Sequence, residues 1–134
     1  MMRGVTLLVV LLTFAAALVG YTSLAAPTVM FGDSAELQTV ALAGGIPHAT
    51  GYPAFILLGR LFAQLPFADP AFRINFMSCC FGAATVALFV LAFTALDLSI
   101  PSALAGALAL GASFTFWRRL VCNSAFDLGS PMMP

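Results

Sequence analysis

Apolar positions along the chain fall into three long runs, and the polar positions gather mostly in one stretch between the first run and the second. The first run, Val5 to Ala26, follows Met1-Met2-Arg3-Gly4. About twenty apolar residues at ~1.5 Å each cover a hydrocarbon layer of ~30 Å, so the pattern predicts an uncleaved membrane anchor over 5–26. A basic start, an apolar stretch and the small residues Ser23-Leu24-Ala25-Ala26 also fit a cleavable signal peptide, although the run is longer than the usual core of one.

The second run opens at Asp69-Pro70, an N-cap followed by proline at the first helical position. It continues through Arg73 and Asn75 to about Leu96, which predicts a second span over 71–96, long enough to cross with some tilt. Asp97-Leu98-Ser99-Ile100-Pro101 leaves room only for a tight hairpin. The third run, Ser102 to Trp117, predicts a span over 101–117. Its residues Ala103, Ala107 and Gly111 recur every four positions, a face suited to close packing against the second span at Ala83 and Ala87.

Residues 27–70 then form a polar loop with structure of its own. Gly32-Asp33-Ser34-Ala35-Glu36 leads into Leu37, Val40 and Ala41, spaced as one face of a short helix. Gly44-Gly45 ends that helix in a common way. Ile46 to Pro53 combines two prolines with a glycine and reads as a shaped loop. A second short helix covers Ala54 to Leu65, with Pro53 at its first position. Phe55, Leu58, Phe62 and Leu65 share one face and Arg60 and Gln64 another, as in a helix lying in the membrane interface with Arg60 turned to headgroups or into a site.

Composition turns these runs into a fold class. The chain is 62% hydrophobic and 7% charged, where an ordinary soluble domain carries about a quarter charged residues. The expectation is an all-α integral membrane protein of three transmembrane helices plus short loop and interfacial helices. Five basic and five acidic residues balance, so nothing directs the chain to nucleic acid; its surroundings are the lipid bilayer. Cys79 and Cys80 are neighbours whose side chains diverge, and Cys122 stands alone. All three read as small hydrophobes without metal-ligand spacing.

Candidate chemistry is concentrated in the polar loop. Asp33 and Glu36 fit a capping box, in which both side chains satisfy backbone N–H groups at a helix start. They also put two carboxylates on one face just outside the bilayer. There a carboxylate takes a proton from an attacking hydroxyl, or holds a divalent metal that bridges a phosphate. The two roles are compatible. His48, the only histidine, is either a structural hydrogen-bonder or a contact to phosphate or an acceptor hydroxyl. Arg60 and Arg73 are either interface anchors or forks for a phosphate. Tyr52 and Trp117 read most simply as interfacial aromatics.

Four elements in order carry a resemblance: Asp33-Ser34-Ala35-Glu36; Ile46-Pro47-His48-Ala49-Thr50-Gly51-Tyr52-Pro53; Gly59-Arg60-Leu61-Phe62-Ala63-Gln64-Leu65-Pro66; and Phe72-Arg73-Ile74-Asn75. At this spacing the chain resembles, over roughly residues 25 to 117, the start of a family of multi-spanning GT-C-type glycosyltransferase-like proteins that includes an animal transmembrane O-mannosyltransferase. The resemblance implies the N-terminal part of a GT-C-like bundle, with the loop on the outer or lumenal face. The donor it implies is a sugar on a polyprenyl or dolichyl phosphate, transferred to an acceptor hydroxyl by displacement at the anomeric carbon with lipid phosphate leaving. Asp33 then stands as the catalytic base with Glu36 beside it. His48, Tyr52, Arg60 and Arg73 stand as substrate-binding candidates.

Two features depart from the family's pattern. Ser113-Phe114-Thr115-Phe116-Trp117 leads, in the family, into an acidic Glu-Val-Tyr-like motif and further spans, whereas here Arg118-Arg119 follows; residues 118–134 are therefore expected to be an aberrant or truncated tail. Charge counting also puts Arg60, Arg73, Arg118 and Arg119 on one side and Arg3 on the other, which by the positive-inside rule places the loop in the cytoplasm. Arginines that serve a phosphate site need not obey that rule, so the outer-face expectation is kept. The resulting expectation is a multi-pass protein of the cell membrane, an N-terminal fragment of a lipid-linked-sugar-dependent glycosyltransferase. The alternatives are a small non-catalytic membrane protein that packs against partner helices, and an inactive truncated product.

Overall fold

A computed structural model describes residues 2–29, 33–47 and 52–116, without the side chains of residues 2, 3 and 33. His48, Trp117, Cys122 and the segment 118–134 lie outside the described residues. Within them the chain is helical and has no strand. In order come α1 (Met2–Leu24), α2 (Asp33–Ala43), α3 (Pro53–Ala63), α4 (Pro70–Ala95) and α5 (Ile100–Gly111). Two stretches, Gly4–Leu24 and Pro70–Ala95, are long and apolar enough to cross a membrane; α3 and α5 are apolar but shorter.

The organising element is α4, against which each of the other four helices packs. It starts as its sequence dictates: the Asp69 carboxylate accepts from the Ala71 N–H at 2.9 Å, and Pro70 occupies the first turn, where a missing N–H costs nothing. It ends at Leu96, after which Asp97 takes a positive φ of 62° to turn the chain. The rest of α4 presents Cys79, Ala83, Val86 and Val90 to α1 and α5, where they join Tyr21, Ala103 and Ala107 in the main core.

The small-residue face of α5 is used as its spacing predicts. Ala103, Ala107 and Gly111 are all buried, and side chains this small let two helix backbones approach closely. A Cβ at Gly106 would stand 2.7 Å from Phe93 Cε2, and one at Gly111 2.8 Å from the Tyr21 hydroxyl. A continuous helix over 101–117 does not form: α5 stops at Gly111 and helical structure resumes only at Phe114. Tyr21 supplies a reason. Its hydroxyl donates to the Gly111 carbonyl at 2.9 Å, the carbonyl that would accept from Thr115 if the helix ran on. The last turn tightens instead, with the Ser113 N–H on the Leu110 carbonyl.

The helices of the 27–70 loop depart from their predicted faces. In α2 the buried positions are Ser34, Gln38 and Ala41, while Leu37 and Val40 are only partly covered. A polar partner on α4, Asn75, selects the polar side of α2. In α3, Phe55 and Phe62 pack inward together with Ile56 and Ala63, but Leu58 and Leu65 are exposed. Its buried glycine decides the orientation. A Cβ at Gly59 would lie 3.3 Å from Ala41 Cβ and 3.6 Å from Ile74 Cγ2, so α3 beds against α2 and α4 at this glycine.

Candidate functional site

Helix α2 carries both acidic candidates. It begins at Asp33 itself, so that residue belongs to the first helical turn, and the residues that would cap it lie outside the described ones. Ser34, Gln38 and Ala41 define the face turned to α4. At ~100° per residue, Glu36 sits roughly 165° around the helix from the centre of that face. It is half-buried and has a bonded or electrostatic partner. The helix therefore holds Glu36 on the side away from α4.

Two amides fix α2 from the other side. Gln38 donates from Nε2 to Asn75 Oδ1 at 2.6 Å, and Asn75 donates from Nδ2 to the Ala26 carbonyl at 2.9 Å. The chain of bonds thus joins α2, α4 and the segment that leaves α1. Gln38 is 0% exposed and Asn75 4%, so solvent does not compete for either amide. Ser34 Oγ and Gln38 Oε1 are buried on the same side of α2 with no hydrogen-bond partner among the described residues.

The arginines separate in role. Arg73 donates Nη1 to the Ala63 carbonyl at 2.6 Å and Nη2 to the Ala68 carbonyl at 2.7 Å, and Nε to the Phe67 carbonyl. It gathers the corner between α3 and α4, where Ala68 is held at a positive φ of 49°. Arg60 is exposed. Its Nη2 lies at Gly44, 3.2 Å from where a Cβ would stand on that glycine. Gly44 (φ 84°) closes α2, with its N–H on the Val40 carbonyl at 2.9 Å, so the Arg60 charge is near the negative end of the α2 dipole.

Asp33 and Arg60 consequently stand at opposite ends of α2, about 16 Å apart along its axis at ~1.5 Å per residue. Arg60 is instead at the start of the connection that leads, in sequence, to His48. At the end of that connection Tyr52 adopts a left-handed conformation (φ 37°, ψ 52°) immediately before Pro53. It is half-exposed and has a partner of its own. A left-handed non-glycine residue ahead of proline costs about 1–2 kcal/mol, and such a conformation persists only where its surroundings enforce it.

No group of three His, Cys, Asp or Glu side chains that could hold a metal occurs among the described residues. Cys79 is a buried free thiol and Cys80 a half-buried one. Sequence reasoning missed Ser34 and Gln38 as interior positions and placed Asn75 only within a motif. The one signal on offer was an asparagine early in the next long apolar run, a polar group that needs a partner such as Gln38.

Comparisons with known proteins bear on the same residues. Residues 33–133 match the family described as the protein O-mannosyl-transferase TMEM260 N-terminal domain. The match takes in α2 to α5 and extends across 118–133, the segment whose sequence reads as an aberrant tail. The mouse protein O-mannosyl-transferase TMEM260 is 39% identical over 104 residues, covering 74% of this chain and 14% of the mouse protein. A relative of the same description from Dictyostelium discoideum is 34% identical over 80 residues, covering 58% of this chain and 10% of its own. The chain thus spans only a small part of the length of these relatives. No solved structure matches. With the family match covering more than half of its residues, the chain belongs to the protein O-mannosyl-transferase TMEM260 N-terminal domain family.

Proposed function

We propose that this chain is the N-terminal portion of a multi-pass membrane glycosyltransferase of the GT-C type. It moves a sugar, mannose by analogy with its named relatives, from a polyprenyl or dolichyl phosphate to an acceptor hydroxyl on the outer or lumenal face. Three spans, with α5 and the helical segment from Phe114 as the third, hold an outer loop of two short helices against the beginning of α4. The observation that carries this reading is α2 itself. A helix with Asp33 in its first turn is fastened to a long apolar helix through Gln38, with Glu36 on the side away from α4.

The chemistry follows from these residues. The bond between the anomeric carbon and the lipid phosphate oxygen breaks, and a bond from that carbon to the acceptor oxygen forms. Asp33 takes the proton released by the acceptor hydroxyl. Glu36, one turn on, keeps the local field negative and holds Asp33 ready to accept it. Arg60 and Tyr52 form the second part of the site around the connection after α2, the connection that in sequence contains His48. There Arg60 faces an anionic group through a fork suited to phosphate. A phosphate bonded to the transferred sugar lies within a few ångströms of the base, whereas Arg60 is a helix length away. Arg60 therefore serves an acceptor or a lipid headgroup, and Arg73 serves the corner it already closes.

The test uses the chain in lipid nanodiscs that contain dolichyl-phosphate mannose, extracted gently and weighed by native mass spectrometry. The expected result is retention of the mannosyl lipid in preference to dolichyl phosphate and to phosphatidylglycerol. Equal retention of all three would end the reading. One observation favours the non-catalytic alternative: α1 buries little of its surface and borders, with α5, an apolar groove of about 580 Å³ floored by Val86. Recovery of a stable complex on α1 together with no lipid selectivity would favour that role.

A further inference from the structure

The polar junction of α1, α2 and α4 carries a function that adhesion alone does not require. Helix α2 is eleven residues long, too short to hold its own conformation in water. Its apolar anchorage is narrow: Ala41 is its only residue in the small core it shares with Ile74 and Met77. Its broader contact is with α3, so against α4 itself little apolar packing fixes its rotation. Leucines at 38 and 75 would add apolar contact without fixing rotation, because dispersion has no preferred direction.

Amides do fix it. The Gln38–Asn75 bond is short and wholly buried, and Asn75 carries the constraint on to the Ala26 carbonyl. A roll of one residue, ~100°, would break the bond and leave two amides unpaired in an apolar interior. Buried polar pairs in packed helices are best attested in this use, fixing one register among several of similar energy. Ser34 Oγ and Gln38 Oε1, buried on the same side without partners among the described residues, raise the cost of the present arrangement.

We infer that Gln38 and Asn75 are positioning residues, an amide latch that fixes the rotation and depth of α2 on α4 and so the place of the Asp33-bearing turn. The importance of that turn rests on the function proposed above; the latch itself does not.

The test uses the full 134-residue chain in nanodiscs. It compares Gln38→Leu, Asn75→Leu and the swapped double variant Gln38→Asn/Asn75→Gln by backbone amide hydrogen exchange. Each single variant should speed exchange in residues 34–43 by about tenfold or more. Exchange in α4 from Cys79 to Ala95 should stay within about twofold, and the swap should return α2 to within about threefold of the parent. Unchanged α2 exchange in the singles overturns the latch. So does an equal rise throughout α4, or failure of the swap to restore α2. Retention of dolichyl-phosphate mannose, measured on the same samples, separates the two ideas. If the parent chain shows no selectivity, the functional reading falls while the exchange data still decide the latch. If the parent is selective and the singles loosen α2 without losing selectivity, the positioning role falls.

Discussion

The two ends of α4 are packed by different physics. From Cys79 onward it meets α1 and α5 through small and branched apolar residues, and the contact depends on how closely backbones approach. Over its first two turns Ile74 also packs on α2 and α3, but directed bonds are added: Arg73 on three carbonyls and Asn75 between Gln38 and Ala26, with Asp69 capping the helix itself. The first kind of contact tolerates sliding and punishes added volume. The second punishes lost direction as well. Helix α2, which carries Asp33 and Glu36, is found with the second kind.

The largest break should come from volume in the seam. Gly111→Leu would drive its side chain into the Tyr21 hydroxyl and Val86, whose Cγ2 stands 3.0 Å from the position of a Cβ. Overpacking of this sort costs about 3 kcal/mol, and the expected outcome is an early loss of helicity in a chemical or thermal denaturation series. Exchange in α2 should be the last to respond. Arg73→Ala follows at about 2 kcal/mol, since it removes three charge-assisted bonds at a corner that water partly reaches. Its signature is the reverse. Proteolysis between Ala63 and Asp69 should rise sharply while the α4–α5 seam keeps its protection.

These contrasts also mark what the sequence could convey. The seam was legible because its code is periodic: Ala103, Ala107 and Gly111 occupy one line on a helix whatever surrounds them. The start of α4 was legible because Asp69-Pro70 acts locally, within one turn. The inward face of α2 was not. Leu37, Val40 and Ala41 had the right spacing, yet Ser34 and Gln38 went inside because Asn75, thirty-seven residues away from Gln38, offered an amide. Periodicity ranks residues by their dislike of water and cannot report a partner that reverses the ranking. The extent of the third run misled for a similar reason, since a tyrosine from α1 occupies the carbonyl on which the helix would have continued. The four motif elements located the candidate site along the chain. Their order could not tell that Asp33 and Arg60 would be separated by the length of α2.

Smaller substitutions sharpen the comparison. Asp69→Ala removes the cap from the Ala71 N–H and should cost about 1 kcal/mol. The effect should be local, with faster exchange over the first turn of α4 and no change near Ala107. Asp69→Asn, which keeps an acceptor, should recover most of it.

The smallest effect is expected at Tyr21→Phe. The hydroxyl of Tyr21 spans ninety residues to reach the Gly111 carbonyl, and in water the loss of such a buried bond would cost about 1 kcal/mol. Between helices in hydrocarbon, measured polar bonds average only about 0.6 kcal/mol, because the separated helices find other partners in the same medium. The ring remains, tilted against Phe116 at a centroid distance of 6.5 Å, so packing is preserved and only the bond is removed. If α1 and α5 meet within a bilayer, Tyr21→Phe should shift the unfolding midpoint in nanodiscs barely beyond error. Asn75→Leu, which also removes a buried polar partner, should shift it clearly, since it strands Gln38 beside an already unpartnered Ser34 hydroxyl. A Tyr21→Phe shift as large as that of Asn75→Leu would mean that the seam too depends on direction, and the division of α4 into two kinds of contact would no longer hold.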